Sequence, residues 1–151
     1  MDKNAFLIEL SESDRTDFGR IDFSEQSEEQ QVFSAIWELE SQVNNGGFLQ
    51  YFQSADGHTA NVAPAALRAI GAAKCSDIVG RALAVASAQG LPDDQQSRER
   101  LIEALDTPAQ EALEALDQEF FAYPDNLTDR LFEYVRSHPQ TFGPVSDDET
   151  A

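Results

Sequence analysis

Val43-Asn44-Asn45-Gly46-Gly47-Phe48-Leu49-Gln50-Tyr51-Phe52 closes the first long amphipathic run of the chain. Upstream of it, Val32, Ile36, Leu39 and Val43 recur at intervals of four, three and four, which traces one face of a helix. Phe33 and Trp37, one turn apart, widen that face. Asn-Asn-Gly-Gly then predicts a helix end, with the helix running to about Gln42, because glycine accepts the left-handed backbone of a C-cap and asparagine does so less readily. A positive φ is expected at Gly46 or Gly47. Phe48, Leu49 and Phe52 lie one and four residues apart, so a short helical turn would drive all three into a core. Asn44, Asn45, Gln50 and Gln53 crowd neutral amides into the same corner, beside Tyr51. Two readings stay open there: a structural corner whose amides bond loop carbonyls, or an amide-rich ligand pocket.

Outward from this corner the chain reads as helices. Ser27 with Gln30 forms a capping box at the start of the first strong helix. Towards the N-terminus, Ala5-Phe6-Leu7-Ile8 with Leu10 suits a short helix or strand, and Ser11–Arg20 reads as polar loop. Downstream, Asp56-Gly57-His58 marks a turn, and Asn61 is the expected cap of a helix through Ile70, with Pro64 in its first turn. Ser76 or Asp77 is expected to cap a helix from Ile78 to about Ala88, and another runs from about Gln95 to Leu105. Thr107-Pro108 signals the next start, a cap followed by proline at the first helical position, with Ala109, Leu113, Leu116 and Phe120 facing inward to about Ala122. Leu127, Leu131, Tyr134 and Val135 mark a last helix that Pro139 stops. No strand pattern and no fixed-period repeat is apparent. The fold expected is all-α, a single compact domain of six or seven helices, with the central alanine-rich pair buried by outer acidic helices. The divisions are an N-terminal segment 1–23, a domain 24–142 and an acidic tail 143–151.

Charge narrows the function. The chain has 151 residues and a formal net charge of −18. Residues 1–60 carry 3 basic and 12 acidic groups, 61–90 carry 3 and 1, and 91–151 carry 4 and 15. Two acidic arms therefore flank a nearly neutral middle. Direct binding to nucleic acid or an anionic membrane is disfavoured, since both need a basic footprint. A basic protein partner is the natural counterpart. No apolar run approaches the ~20 residues of a membrane span, and no secretory signal is read at the N-terminus, so the expected compartment is the cytoplasm. A lone cysteine, Cys75, excludes an internal disulfide and reads as a buried structural thiol. A homodimer stays open.

No nucleophile-and-base arrangement and no phosphate loop can be recognised, so no catalytic residue is assigned. His58 and His138 are 80 positions apart, and His58 with Asp56 gives only two ligands in a turn, so no metal and no cofactor is expected. His138 suits a helix end, where the dipole favours a cation. The acidic rows remain: Glu103 with Asp106, Glu111 with Glu114 and Asp117, and Asp125 with Asp129 and Glu133, stepped by three or four. Carboxylates so spaced stand roughly 5–6 Å apart on one helix face and repel each other by a few tenths of a kcal/mol per pair. Such a row can imitate the regular charge of a duplex; it can equally be a solvated face that serves solubility.

Val-Asn-Asn-Gly-Gly-Phe-Leu-Gln-Tyr-Phe resembles the signature of the DNA-mimic protein 19-like family, small acidic bacterial proteins mostly of unknown function. Ala65-Ala66-Leu67-Arg68-Ala69-Ile70-Gly71-Ala72 and Leu131-Phe132-Glu133-Tyr134-Val135-Arg136-Ser137-His138-Pro139 are similar to later blocks of that family. The likeness covers roughly Glu25 to Phe142. Members often have Asn-Ser or Asn-Gly where this chain has Gln53-Ser54. The resemblance implies an all-α fold. For some members it also implies binding to a DNA-binding protein through DNA-like negative charge, with consequences for transcription. The resulting expectation is a non-enzymatic interaction protein whose acidic residues face the basic surface of a DNA-binding protein. The alternatives are a ligand-binding or enzymatic pocket at Asn44–Gln53, and an acidic helical module without mimicry.

Overall fold

The computed structural model describes residues 2–13 and 22–145. Among these residues the chain is helical, with no strand. The elements are α1 (Lys3–Ser11), α2 (Glu28–Gln53), α3 (Ala63–Ala69), α4 (Ala73–Ala86), α5 (Gln95–Glu103), α6 (Thr107–Phe121), α7 (Leu127–Arg136) and the single turn α8 (Pro139–Phe142). Tight 3-10 turns occupy Phe23–Glu25 and Ala55–Thr59. From Asp14 onward the predicted N-terminal loop lies outside the described residues, and from Ser146 onward so does the acidic tail.

The centre of the molecule is α2, not the alanine-rich pair. Its 26 residues pack on α3, α5, α6 and the Ala55–Thr59 turn. Helices α3 and α4 lean on each other beside it, and α4 reaches α6. Ala63 and Ala66 are buried, but Ala65 and Ala69 face solvent. The reason is length: α3 has only 7 residues, too few to form an axis that others surround. Phe33, Ile36, Leu39, Val43, Phe48, Tyr51 and Phe52 are all fully buried along α2. The predicted helix face is thus the core, and Phe48 and Phe52 lie inside it as expected. Leu49 is only half-buried.

Helix starts show which local signals survive packing. The Ser27–Gln30 capping box forms in both directions, at 3.2 and 2.9 Å. Three other starts differ from expectation. Asn61 does not cap α3; its side-chain amide brackets Leu91, donating to the Leu91 carbonyl and accepting from its N–H, each at 2.9 Å. Helix α4 begins at Ala73, so Ser76 lies inside it and donates to the Pro64 carbonyl at 2.8 Å. Asp106, rather than Thr107, caps α6, accepting from the Ala109 N–H at 2.9 Å. In each case the side chain meets a partner in another element, or a neighbour one residue earlier wins the cap. At the far end, His138 meets the expectation of a helix-end residue: its Nδ1 lies 2.7 Å from the Tyr134 carbonyl and its ring stacks on Tyr134 at 4.2 Å.

Helix α1 belongs to the same body, since Leu7 and Leu10 enter the core. It is fastened to α7. Phe6 meets the Phe132 ring edge-on at 5.5 Å, and the Lys3 ammonium lies 3.1 Å from Asp129 Oδ1.

Candidate interaction surface

The Gly46-Gly47 corner is a kink, not a terminus. Gly46 has φ −160° and ψ 18°, and Gly47 has φ 78° and ψ −174°, so the helical ladder breaks across them. The positive φ expected at this pair is therefore at Gly47. The helix restarts at once because a carboxylate from a distant helix caps it. Asp117 Oδ1, on α6, accepts from the Phe48 N–H at 2.8 Å, an anion at the positive end of a new helical segment. A Cβ on Gly47 would lie 2.4 Å from Asp117 Oδ2, so glycine is required there both for its φ and for its emptiness. Burial raises the Asp117 carboxyl above its usual range, with Glu114 adding to the rise and the Phe48 N–H opposing it.

The amides of the corner are spent on side chains more than on loop carbonyls. Gln50 Nε2 donates to Gln42 Oε1 at 2.9 Å, and Gln42 Nε2 donates to Asp56 Oδ2 at 2.9 Å. The Tyr51 hydroxyl lies 2.6 Å from Thr59 Oγ1 in the interior. Asn44 Nδ2 donates to the Tyr123 hydroxyl at 2.7 Å, while Asn45 is exposed. Of the corner's amides, Asn44 borders a cleft, the one between α1 and α2. Four further clefts are lined by residues other than Asn45, Gln50 and His58.

Two interior charges were missed by sequence reading. Arg98 is 1% exposed, and its guanidinium donates to the carbonyls of Phe52, Ser54, Pro92 and Asp93. It closes the C-terminal end of α2, whose last carbonyls have no partner inside the helix. Its place was signalled by spacing, since Arg98 lies four residues before the buried Ile102 and shares its helix face. Gly57 makes this approach feasible: a Cβ there would lie 2.5 Å from the Phe52 carbonyl oxygen and 2.7 Å from Arg98 Nε. Glu38 is the second charge. Its Oε2 is buried with no hydrogen-bond partner. Burial, reinforced by the Asp56 carboxylate and opposed by Thr59, pushes its carboxyl up to about 8.

The predicted acidic surface divides. Asp117 and Asp125 are corrections, because neither stands in an exposed row. Asp117 is turned onto the kink, and Asp125 is buried, its Oδ2 accepting from the Cys75 N–H at 2.9 Å. Both are drawn inward by unsatisfied helix N–H donors. Asp129 is half-buried and paired with Lys3, and Glu133 lies 3.6 Å from Arg136. Glu103, Asp106, Glu111 and Glu114 are exposed. Among the described residues, none of these four has a lysine, arginine or histidine within 4.0 Å. A bare negative stretch therefore covers the end of α5 and the first half of α6. The same residues include no group of three that could hold a metal ion, and no helix long and apolar enough to cross a membrane.

These features define a class: an all-helical protein built on one kinked helix, with structural carboxylates inside and an unpaired acidic surface outside. The chain matches the family described as DMP19-like protein over residues 24–138, and it belongs to that family. The Val43–Phe52 signature and the two later blocks lie within the matched span, apart from Pro139 just past it. No curated protein and no solved structure matches the chain.

Proposed function

We propose that the protein is a non-enzymatic acidic interaction module of the cytoplasm that binds the basic surface of a DNA-binding protein and competes with DNA for it, with transcription as the process affected. The observation that carries this reading is the unpaired state of Glu103, Asp106, Glu111 and Glu114. A surface shaped only for stability would neutralise such a patch with lysine or arginine, and like charges at these spacings are mildly unfavourable. The chain has only 10 basic residues, and those that pair do so elsewhere, as Arg81 does with Asp77 and Glu119. Family membership supports the same reading. An electrostatic encounter of this kind gains its rate from long-range attraction and loses it to salt, with a Debye length of about 8 Å at physiological ionic strength.

The test is capture of the partner at low salt, followed by competition against its DNA. The variant Glu103→Gln/Glu111→Gln/Glu114→Gln should compete at least tenfold more weakly, chiefly through a slower association rate. A partner that binds this variant as well as it binds the parent would overturn the reading and leave the charge as a solubility device. Asp117 and Asp125 are left untouched in the design, because their carboxylates hold the fold.

A further inference from the structure

We propose that the cleft between α1 and α2 receives an arginine side chain of the protein partner. The proposal rests on the reading of the chain as a binder of a basic protein, and it names the residue type that would anchor the contact.

Positions 37, 40, 41 and 44 of α2 fall at i, i+3, i+4 and i+7, so one helix stripe brings Trp37, Glu40, Ser41 and Asn44 to the same wall. Leu7 and Ile8 of α1 form the apolar part of the facing side, with Asn4 of α1 and Thr128 of α7 beside them. The cleft opens because α1 is fastened to α7 rather than to α2. Its volume is about 240 Å³, below the ~300–1,000 Å³ of sites for drug-sized ligands and suited to a side chain.

Two acceptors of the polar wall stand without a donor. The Tyr123 hydroxyl bridges two of its members, donating to Glu40 Oε2 at 3.1 Å and accepting from Asn44 Nδ2 at 2.7 Å. Among the described residues, Glu40 Oε1 and the Asn44 amide oxygen have no hydrogen-bond donor, and no cation pairs with Glu40. Burial raises the Glu40 carboxyl above its ordinary range, with Tyr123 opposing, which is the mark of a carboxylate without a counter-ion. A guanidinium answers all of this together. It offers five N–H donors in a planar fork, stacks on an indole face, and carries a methylene stem that suits the Leu7–Ile8 wall. Ile8 is 42% exposed, an apolar surface that such a stem would cover.

Trp37 is the chain's one tryptophan, so its fluorescence reports on the cleft alone. Nα-acetyl-arginine amide titrated into the full chain at low salt should change that fluorescence saturably. The citrulline analogue, which keeps the shape and loses the charge, should not. Glu40→Gln should weaken the response at least tenfold. So should Ser41→Arg, an exposed position whose new guanidinium would occupy the cleft itself; this second variant decides the matter if Glu40→Gln fails to fold. An unsaturable response, an equal response to citrulline or to the lysine amide, or unchanged binding by both variants would overturn the proposal. Tighter binding of free arginine than of the capped amide would assign the cleft to a metabolite and overturn it too. The Glu103/Glu111/Glu114 variant should bind the probe normally, so failure here and failure of the mimic reading are separate results.

Discussion

The carboxylates around α2 and those on the α5–α6 surface come from the same acidic composition and do opposite things. In the interior three carboxylates have been recruited: Asp117 caps the kink, Asp125 holds the start of α4, and Asp56 takes the Gln42 amide. On α5 and α6, Glu103, Glu111 and Glu114 have no cation partner and face water. The difference teaches that a formal charge of −18 is a poor measure of what a partner meets. Part of it is absorbed in the interior, and Glu38, with its carboxyl near 8, is mostly uncharged at neutral pH. The field outside is set by fewer groups than the formal charge counts.

The sharpest way to break this comparison is through Glu38. Its folded-state carboxyl is raised from 4.5 to about 8, so the folded protein holds a proton that the unfolded chain has released. Stability contributed by the neutral form is complete below about 4.5 and is lost as pH rises to about 8, at about 1.4 kcal/mol per unit of pH. Denaturant titrations from pH 5 to 9 should show this decline, and Glu38→Gln should remove most of it. A parent protein with no decline attributable to position 38 would place Glu38 among the ordinary carboxylates.

Next in size is Arg98→Met, which takes the guanidinium from the Phe52, Pro92 and Asp93 carbonyls and one of two donors from the Ser54 carbonyl, and should cost about 3 kcal/mol or more in chemical denaturation. Asp117→Ala orphans the Phe48 N–H and should cost about 1–3 kcal/mol, with the loss seen as faster amide exchange at Phe48. The smallest effect should come from the outer region. Neutralising Glu103, Glu111 and Glu114 should change stability by no more than about 0.5 kcal/mol while weakening partner binding as described. A large stability loss there would show that the two sets of carboxylates are less distinct than the structure makes them.

Much of the fold was legible because its signals are local. The period of Val32, Ile36, Leu39 and Val43, the Ser27–Gln30 box and the glycine pair each act within one or two turns of chain. What escaped was tertiary capping. Asp117 reaches a backbone N–H 69 residues away, and Asp125 reaches one 50 residues away. Their helical spacing is the same as that of exposed acids, so period alone assigned them to the surface. Asn61 was misread for the same reason, as its amide is satisfied by Leu91 across a loop rather than by the helix beside it. The kink also shows how a stop signal can be overruled: glycine ended one segment as predicted, and a carboxylate from elsewhere began another in the same place.

The seat of Cys75 gives the molecule a clock. This lone thiol is fully buried, its N–H is held by Asp125, and burial pushes the thiol up to about 11. At neutral pH it is both hidden and protonated, so alkylating reagents can reach a reactive thiolate only when the junction of α4 with the Asp125 loop swings open. The rate of its modification therefore times that opening and offers a readout of how tightly an interior carboxylate keeps its helix shut.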